Sequence, residues 1–284
     1  MIFLISNNPK NLAGALAGQR SATIEAEYGD EVVEGSIITM AHHGSRAGQP
    51  APCSYPNGCG KGVEVVGLSH VDLDTIGGCA AILNRKPEAP TFWELAEFVD
   101  LNGPHKLAQA GASKEDIRRL YAYWAWSEKN RVFPPRDGSV LDITDKVMES
   151  IRVIEQLLSG NEELLQRGDE FKAASERLNA ESFIEAIGGV AVRVAGAFAN
   201  HLYNLPTGEV CEAVVGYDTR IGAIRISFES IPEGISAREI VQSLWGGLAG
   251  GHAGIAGSPR NQRMALDDLV AARDATVAAL ETAK

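Results

Sequence analysis

With 284 residues and 45% hydrophobic content, the chain can form one large or two ordinary globular cores, which excludes general disorder. Its 26 Lys and Arg stand against 37 Asp and Glu, and the formal charge of −11 opposes attachment to duplex nucleic acid through counterion release. There is no apolar run of about 18 residues and no basic, then apolar, leader at the start, so a cytoplasmic protein without membrane contact is expected.

The first stretch reads as β-rich. Phe3-Leu4-Ile5 is a short apolar strand, and Ala22-Thr23-Ile24-Glu25-Ala26 alternates before a Gly29-Asp30 turn and a return through Val32-Val33, which predicts a hairpin. Two further strands, Ile37 to Met40 and Val63 to Leu68, each run directly into histidine-containing sequence with glycine close behind. Small and apolar residues from Thr75 to Leu83 suit a helix packed closely on a sheet. Residues 142–182 read as connecting helices, with Val147, Ile151, Ile154 and Leu158 forming one apolar stripe that ends near Gly160.

Strands return at Gly189 to Val192, Ala213 to Tyr217 and Ala223 to Ser227, the last two separated by a turn at Asp218 to Gly222. A Ser236-x-x-Glu239 capping box predicts a helix from Ala237 to Trp245, broken by a Gly-rich loop at 246–257, and the tail from Ala265 to Lys284 predicts a terminal helix. The fold class expected is therefore α/β. A mainly parallel N-terminal domain (1–145) is followed by a helical linker (146–187) and a smaller α/β domain (188–284). Cys53, Cys59, Cys79 and Cys211 form no C-x-x-C pair, so free thiols are expected ahead of a zinc site or local disulfide at Cys53 and Cys59.

The chemistry points to His70-Val71-Asp72-Leu73-Asp74. In an extended backbone, residues two apart share a face, so His70, Asp72 and Asp74 would project together while Val71 and Leu73 anchor the other side. Two carboxylates and an imidazole held together repel and desolvate one another unless a cation neutralises them. Mixed imidazole and carboxylate ligands suit a divalent metal, Mn²⁺ best, with Mg²⁺, Fe²⁺, Co²⁺ or Zn²⁺ as alternatives. A plainer reading makes the acids caps of the following helix, Asp74 before Thr75 suiting that role.

The segment Gly67-Leu68-Ser69-His70-Val71-Asp72-Leu73-Asp74-Thr75-Ile76-Gly77-Gly78 resembles the first motif of the DHH phosphoesterase superfamily, a strand followed by His-x-Asp-x-Asp and a small-residue helix. Ala249-Gly250-Gly251-His252-Ala253-Gly254-Ile255-Ala256-Gly257 is similar to the Gly-Gly-Gly-His-x-x-Ala-x-Gly loop of the domain associated with that family, departing at its first glycine. The resemblance implies metal-dependent phosphoester hydrolysis between two domains. The second would be a substrate-binding domain in which Gly250, Gly251 and His252 approach an anionic oxygen, with Arg260 and Arg263 available to pair with phosphate. A plain glycine connection with one solvent-facing histidine is the alternative.

The family's Asp-His-His triplet is absent from the chain. His42-His43 follows Ala41 and precedes the first motif, so a metal or catalytic role for the pair requires the chain to turn at Gly44. Asp100, after a short apolar run, and His105, after the Gly103-Pro104 turn, are further ligand candidates; an Asx-type turn is the alternative for Asp100. His42-His43-Gly44-Ser45 also looks like a fragment of metallo-β-lactamase-like hydrolases, whose His-x-His-x-Asp-His signature is missing. Ser45 and Ser69 lack a Gly-x-Ser-x-Gly elbow, and no phosphate-binding P-loop or dinucleotide fingerprint is present.

The aromatic residues Tyr121, Tyr123, Trp124 and Trp126 suit helix packing or a subunit contact, such as a homodimer's, better than base stacking, and His201 suits a structural role. The function expected is a phosphoesterase with Asp72, Asp74, His42 and His43 at the reaction centre. Its metal ligands would be His70, Asp72, Asp74, Asp100, His43 and His105, and its substrate a small phosphorylated compound, a nucleotide or a short single-stranded oligonucleotide. A non-catalytic anion-binding module with a degenerate metal site, and a metal-dependent hydrolase of other esters or amides, are the competing expectations.

Overall fold

The computed structural model describes residues 1–29, 31–260 and 262–283, and it divides into two compact units, Met1–Lys172 and Ala173–Lys284. Residues 146–172 of the expected linker thus group with the first unit.

The first unit contains, in chain order, β1 (Ile2–Ile5), α1 (Pro9–Leu16), β2 (Ser21–Ile24), β3 (Glu27–Tyr28), β4 (Glu31–Val32), β5 (Ile38–Met40), β6 (Val65–Leu68), α2 (Leu73–Ile82), α3 (Pro90–Asn102), α4 (Lys114–Asn130), β7 (Leu141–Asp142), α5 (Thr144–Leu158) and most of α6 (Glu162–Ser182). Its sheet has the order β5-β2-β6-β1-β7, parallel except where β7 pairs antiparallel with β1. As expected, the unit is α/β with a mainly parallel sheet.

Parallel strands are covered on both faces, and β2 and β6 are accordingly buried at every residue, the polar Ser21 and Thr23 of β2 included. On one face α1 packs Leu12 and Leu16 against Val65 and Ala26. On the other, Ile24, Met40, Val66 and Leu68 meet Ile76 and Ala80 of α2, Phe92 of α3, Leu120 of α4 and Ile151 and Ile154 of α5 in one core. Each such Leu or Ile, fully buried, contributes about 1.5–3 kcal/mol. The helices start where local chemistry dictates: Asn8 caps α1 by accepting from the N–H groups of Lys10 and Asn11, and Ser113 caps α4 by accepting from Asp116 N–H.

The predicted hairpin is displaced. Its strand β2 joins the parallel sheet, and the short hairpin is instead β3 with β4, two residues a side; of the turn between them, Asp30 lies outside the described residues. Burial of every residue of β2 between neighbouring strands and helices wins over the alternation that suggested pairing with Val32-Val33.

The second unit holds β8 (Phe183–Ile187), β9 (Val190–Ala195), β10 (Ala213–Asp218), β11 (Ala223–Phe228), α7 (Ala237–Trp245), β12 (Gly250–Gly251), β13 (Ile255–Gly257) and α8 (Leu266–Thr282). Its separate sheet runs β12-β13-β11-β10-β9-β8, with β9 and β10 parallel and the other pairs antiparallel. Val192, Val215, Ile224 and Ile226 pack against Val241 of α7 and Leu269, Ala272 and Leu280 of α8. Helix α7 has the predicted bounds, but Ser236 makes no side-chain cap bond, so the expected capping box is not formed. Lys284, the last residue of the expected terminal helix, lies outside the described residues.

Arg193 is fully buried in this unit, where burial pulls its pKa down to about 10. Its guanidinium donates to the carbonyls of Leu202, Asn179 and Asn204, to Ser182 Oγ and to Asn179 Oδ1, so it ties the end of α6 to the loop after β9. Among the described residues no helix is long and apolar enough to cross a membrane.

Candidate metal centre

The strands β5, β2 and β6 lie side by side and parallel, so their carboxyl ends open on one edge of the sheet. In open α/β sheets that edge is where binding residues collect, because loops there vary while the strands hold them in place. Here β2 delivers Glu25, β5 delivers His42 and His43, and β6 delivers Ser69 and His70.

Glu25 sits at the centre. It is fully buried with φ at 45°, a left-handed conformation that costs a non-glycine residue about 1–3 kcal/mol and is kept only where the surroundings enforce it. The enforcement is visible: its N–H donates to Met40 O at 2.7 Å, and its carbonyl accepts from Ser69 Oγ. Glu25 Oε1 then lies 2.6 Å from His42 Nε2 and 3.1 Å from His43 Nε2, while Oε2 lies 2.8 Å from His70 Nε2.

Two helices complete the ring. The predicted extended run His70 to Asp74 is not formed, because α2 begins at Leu73. Asp72 is the N-cap of that helix, and Asp74 falls in its first turn. The shared face expected of His70, Asp72 and Asp74 is therefore corrected: Asp72 Oδ2 stays 3.3 Å from His70 Nε2, whereas Asp74 Oδ2 turns to His42 Nε2, also at 3.3 Å. Asp100 comes from the last turns of α3, so the alternative of an Asx-type turn does not hold, and it brings Oδ2 within 3.2 Å of His42 Nε2 and 3.1 Å of His43 Nε2.

Both histidines of the His42-His43 pair reach the same point. The chain turns at Gly44, with φ at 48°, and their rings lie 4.1 Å apart between centroids. Glu25, His42, His43 and Asp100 each offer a ligand atom within 4.8 Å of the others, and so do Glu25, His70 and Asp72. Either group could hold a metal ion. Glu25 belongs to both.

Hydrogen bonding alone does not satisfy this cluster. One imidazole Nε2 carries at most one proton, yet three carboxylate oxygens crowd within 3.3 Å of His42 Nε2. Glu25 Oε2, Asp74 Oδ2 and Asp100 Oδ2 are buried without a hydrogen-bond partner, an arrangement that costs several kcal/mol unless a cation takes up the lone pairs. The residues present therefore fit a divalent metal.

Asp74 stands outside both groups, facing His42, and the far carboxylate oxygens of Asp72 and Asp74 are anchored to backbone, as partners around metal ligands commonly are. Cys53 N–H donates to Asp74 Oδ1 at 2.8 Å, and Thr75 N–H to Asp72 Oδ1 at 2.8 Å. The floor, formed by Glu25, His42 and Asp74, is buried; the rim, formed by His43 and His70, is 41% and 46% exposed at the side chains.

Electrostatics follow from this crowding. Burial alone would push Glu25 up, but the facing imidazoles of His42 and His70 and their charges outweigh it and hold the carboxyl down at about 2. For His42 burial acts downward, and its contacts with Asp100, Asp74 and Glu25 overcome it, raising the imidazole to about 12. His70 is raised to about 10 against its burial by Asp72 and Glu25. Asp74 is raised by burial and by the nearby Glu25 charge.

His105 stands outside both groups. It lies in the turn Pro104–Gln109, its ring folded over Gly103, where a Cβ would come within 2.5 Å of His105 Cε1. Glu25 was missed from the sequence, where it read as one more member of an alternating strand. The available signal was an acid ending the buried Ser21-Ala22-Thr23-Ile24 run beside two strands that end in histidine.

In the second unit Gly250 and Gly251 form β12, and His252 N–H donates to Ile255 O at 2.8 Å to close the hairpin with β13. Gly251 must be glycine, since with φ at 154° a Cβ would lie 2.4 Å from Ile255 O. His252 and Arg260 are exposed. Arg263 is committed elsewhere, its guanidinium donating to the carbonyls of Thr219 and Arg220. No protein-family model matches this chain, and no curated protein matches it either.

Proposed function

We propose that this chain is a divalent-metal-dependent hydrolase of phosphoester or phosphoanhydride bonds, a divergent member of the DHH phosphoesterase superfamily. The observation that carries the reading is Glu25, whose two carboxylate oxygens face two ligand groups, one with His42, His43 and Asp100 and one with His70 and Asp72. A carboxylate so placed suits a pair of ions, and the mixed imidazole and carboxylate set favours Mn²⁺. His42, His43 and Asp100 meeting at one point take the place of the absent Asp-His-His triplet.

When bound, such ions supply Lewis acidity that acidifies a water and offsets charge on phosphoryl oxygens. The chain's own residues set the geometry. Buried Glu25, His42 and Asp74 exclude water from the floor, and the half-exposed His43 and His70 leave the rim open to a phosphoryl oxygen. Within the second unit, Gly250, Gly251, His252 and Arg260 are proposed to bind an anionic group; two N–H donors of Arg263 are already given to backbone carbonyls, which makes it the weaker candidate there. The substrate class is a nucleotide, a short single-stranded oligonucleotide or a smaller phosphorylated compound.

The test is elemental analysis of the purified chain, followed by a Mn²⁺-supplemented screen of nucleotides, short oligonucleotides and simple phosphoesters with Glu25→Gln as control. Metal uptake with turnover that Glu25→Gln abolishes supports the proposal. Metal uptake without phosphate or nucleotide release from any substrate overturns the phosphoesterase, and lack of metal uptake overturns the site.

A further inference from the structure

Ser69, between the end of β6 and His70, has a role that the metal reading does not use. Its hydroxyl donates its only proton to the carbonyl of Glu25, and a carbonyl can only accept. The same Oγ lies 2.9 Å from His70 Nδ1. With the hydroxyl proton already committed, that second contact is a hydrogen bond only if His70 carries a proton on Nδ1 and donates it to Ser69 Oγ. Without metal, Nε2 also carries a proton toward Glu25 Oε2 at 2.8 Å and Asp72 Oδ2 at 3.3 Å; a cation displacing that proton would find the lone pair on Nε2, because Nδ1–H stays committed to Ser69.

We infer that Ser69 is a positioning residue that selects the Nε2-ligating tautomer of His70 and at the same time pins the left-handed turn at Glu25. The inference rests on the metal centre proposed above. Its physical content is a directed chain of two hydrogen bonds, His70 Nδ1–H to Ser69 Oγ and Ser69 O–H to Glu25 O, joining a rim ligand to the backbone of the shared ligand. Histidine ligands are generally oriented by a partner on the far ring nitrogen, and losing that partner weakens metal affinity about 10- to 100-fold. Here one hydroxyl serves two ligands, because Glu25 and His70 lie at the ends of adjacent strands in register, Ile24 opposite Leu68.

The inference is tested on the full chain loaded with Zn²⁺, a diamagnetic probe, by long-range ¹H–¹⁵N correlation spectra of the histidines and by calorimetric Zn²⁺ and Mn²⁺ titrations of wild type, Ser69→Ala and Ser69→Thr. Expected are a protonated Nδ1 and a metal-bound Nε2 for His70 in the wild type. Affinity should be about tenfold or more weaker in Ser69→Ala and return to within about threefold of wild type in Ser69→Thr, which keeps the hydroxyl. Binding of His70 through Nδ1, or unchanged affinity in Ser69→Ala, overturns the role of Ser69 while leaving the metal centre standing. A wild type that takes up neither metal overturns both. Should Ser69→Ala fail to fold, the wild-type spectrum and the Ser69→Thr titration still decide between these outcomes.

Discussion

Asp72 and Thr75 hydrogen-bond each other reciprocally across the first turn of α2: Thr75 N–H donates to Asp72 Oδ1 and Asp72 N–H to Thr75 Oγ1, each at 2.8 Å. The second carboxylate oxygen of Asp72 remains directed at His70. One side chain thus caps a helix and faces the centre, and two substitutions separate the roles. Asn caps as well as Asp, so Asp72→Asn should keep the cap, losing in metal-free protein only the charge contact with His70, while weakening metal binding; Asp72→Ala should lose the cap as well, at about 1 kcal/mol more. Urea unfolding in chelator and calorimetric Mn²⁺ titration measure the two effects. Equal metal binding by Asp72→Asn and wild type would remove Asp72 from the ligand set.

Glu25 is the shared member of both ligand groups, so Glu25→Gln should act on both at once. Its neutral amide keeps the size of the side chain but loses one anionic oxygen. Bound Mn²⁺ is expected to fall from two ions per chain to one or none, with affinity lower by on the order of a hundredfold. Metal content after gel filtration reports the outcome. Retention of two ions would show that Glu25 bridges nothing.

The ionised cluster also sets how metal-free stability depends on pH. A carboxyl held down at about 2, as in Glu25, contributes stability that is complete above its ordinary 4.5 and is lost as pH falls toward 2. Imidazoles raised to about 12 and about 10, as in His42 and His70, contribute stability that is complete below their ordinary 6.5 and is lost as pH rises through those values. The raised carboxyl of Asp74 acts in the same sense as the imidazoles, opposing folding as it ionises. The melting temperature of chelator-treated protein should therefore peak between about pH 4.5 and 6.5 and fall on both sides. A melting temperature that climbs steadily to pH 9 contradicts this assignment of charges.

Close packing supports the centre from behind. A Cβ at Gly77 would lie 2.5 Å from Cys53 Cβ and 2.9 Å from its Cα, backbone that cannot simply step aside. Gly77→Ala should cost about 1–3 kcal/mol by overpacking. It should also weaken metal binding, because Cys53 N–H is the donor that orients Asp74. Thermal unfolding and Mn²⁺ titration on the same sample check the pairing; destabilisation with unaltered metal affinity would uncouple Cys53 from the site.

Much of the architecture was legible in the sequence where periodicity is strong. Strands β6, β10 and β11 and helices α5 and α8 follow from apolar runs and stripes that burial bears out, whereas α7 has its expected bounds although the capping box that suggested it does not form. What failed did so for identifiable reasons. The pattern at His70 to Asp74 fits both an extended run and a helix start, and the Asp72–Thr75 bonds decide for the helix. Helix α3 carries Phe92, Leu95, Ala96 and Val99 inward at i, i+3, i+4 and i+7, a helical period that was legible, whereas Asp100 was read only as following a short apolar run. Glu25 was hidden because its importance comes from neighbours 17 and 45 positions away in sequence, His42 and His70, which the strand order alone brings to it. Its left-handed backbone has no signature in the residue type, since glycine or asparagine would ordinarily mark such a place.

The two-residue strand β7 closes the outer edge of β1. Leu4 and Ile5 pair with Asp142 and Leu141, Ile143 N–H donates to Phe3 O, and Phe3 N–H to Thr144 Oγ1. Until residues 141–144 have been synthesised and are in place, the margin of β1 opposite β6 is therefore unpaired. Domains emerging at about 5–20 residues per second leave that margin open for many seconds, the interval in which stray strand pairing does most harm. A two-residue strand more than a hundred positions along the sequence thereby covers a margin otherwise open to strand pairing.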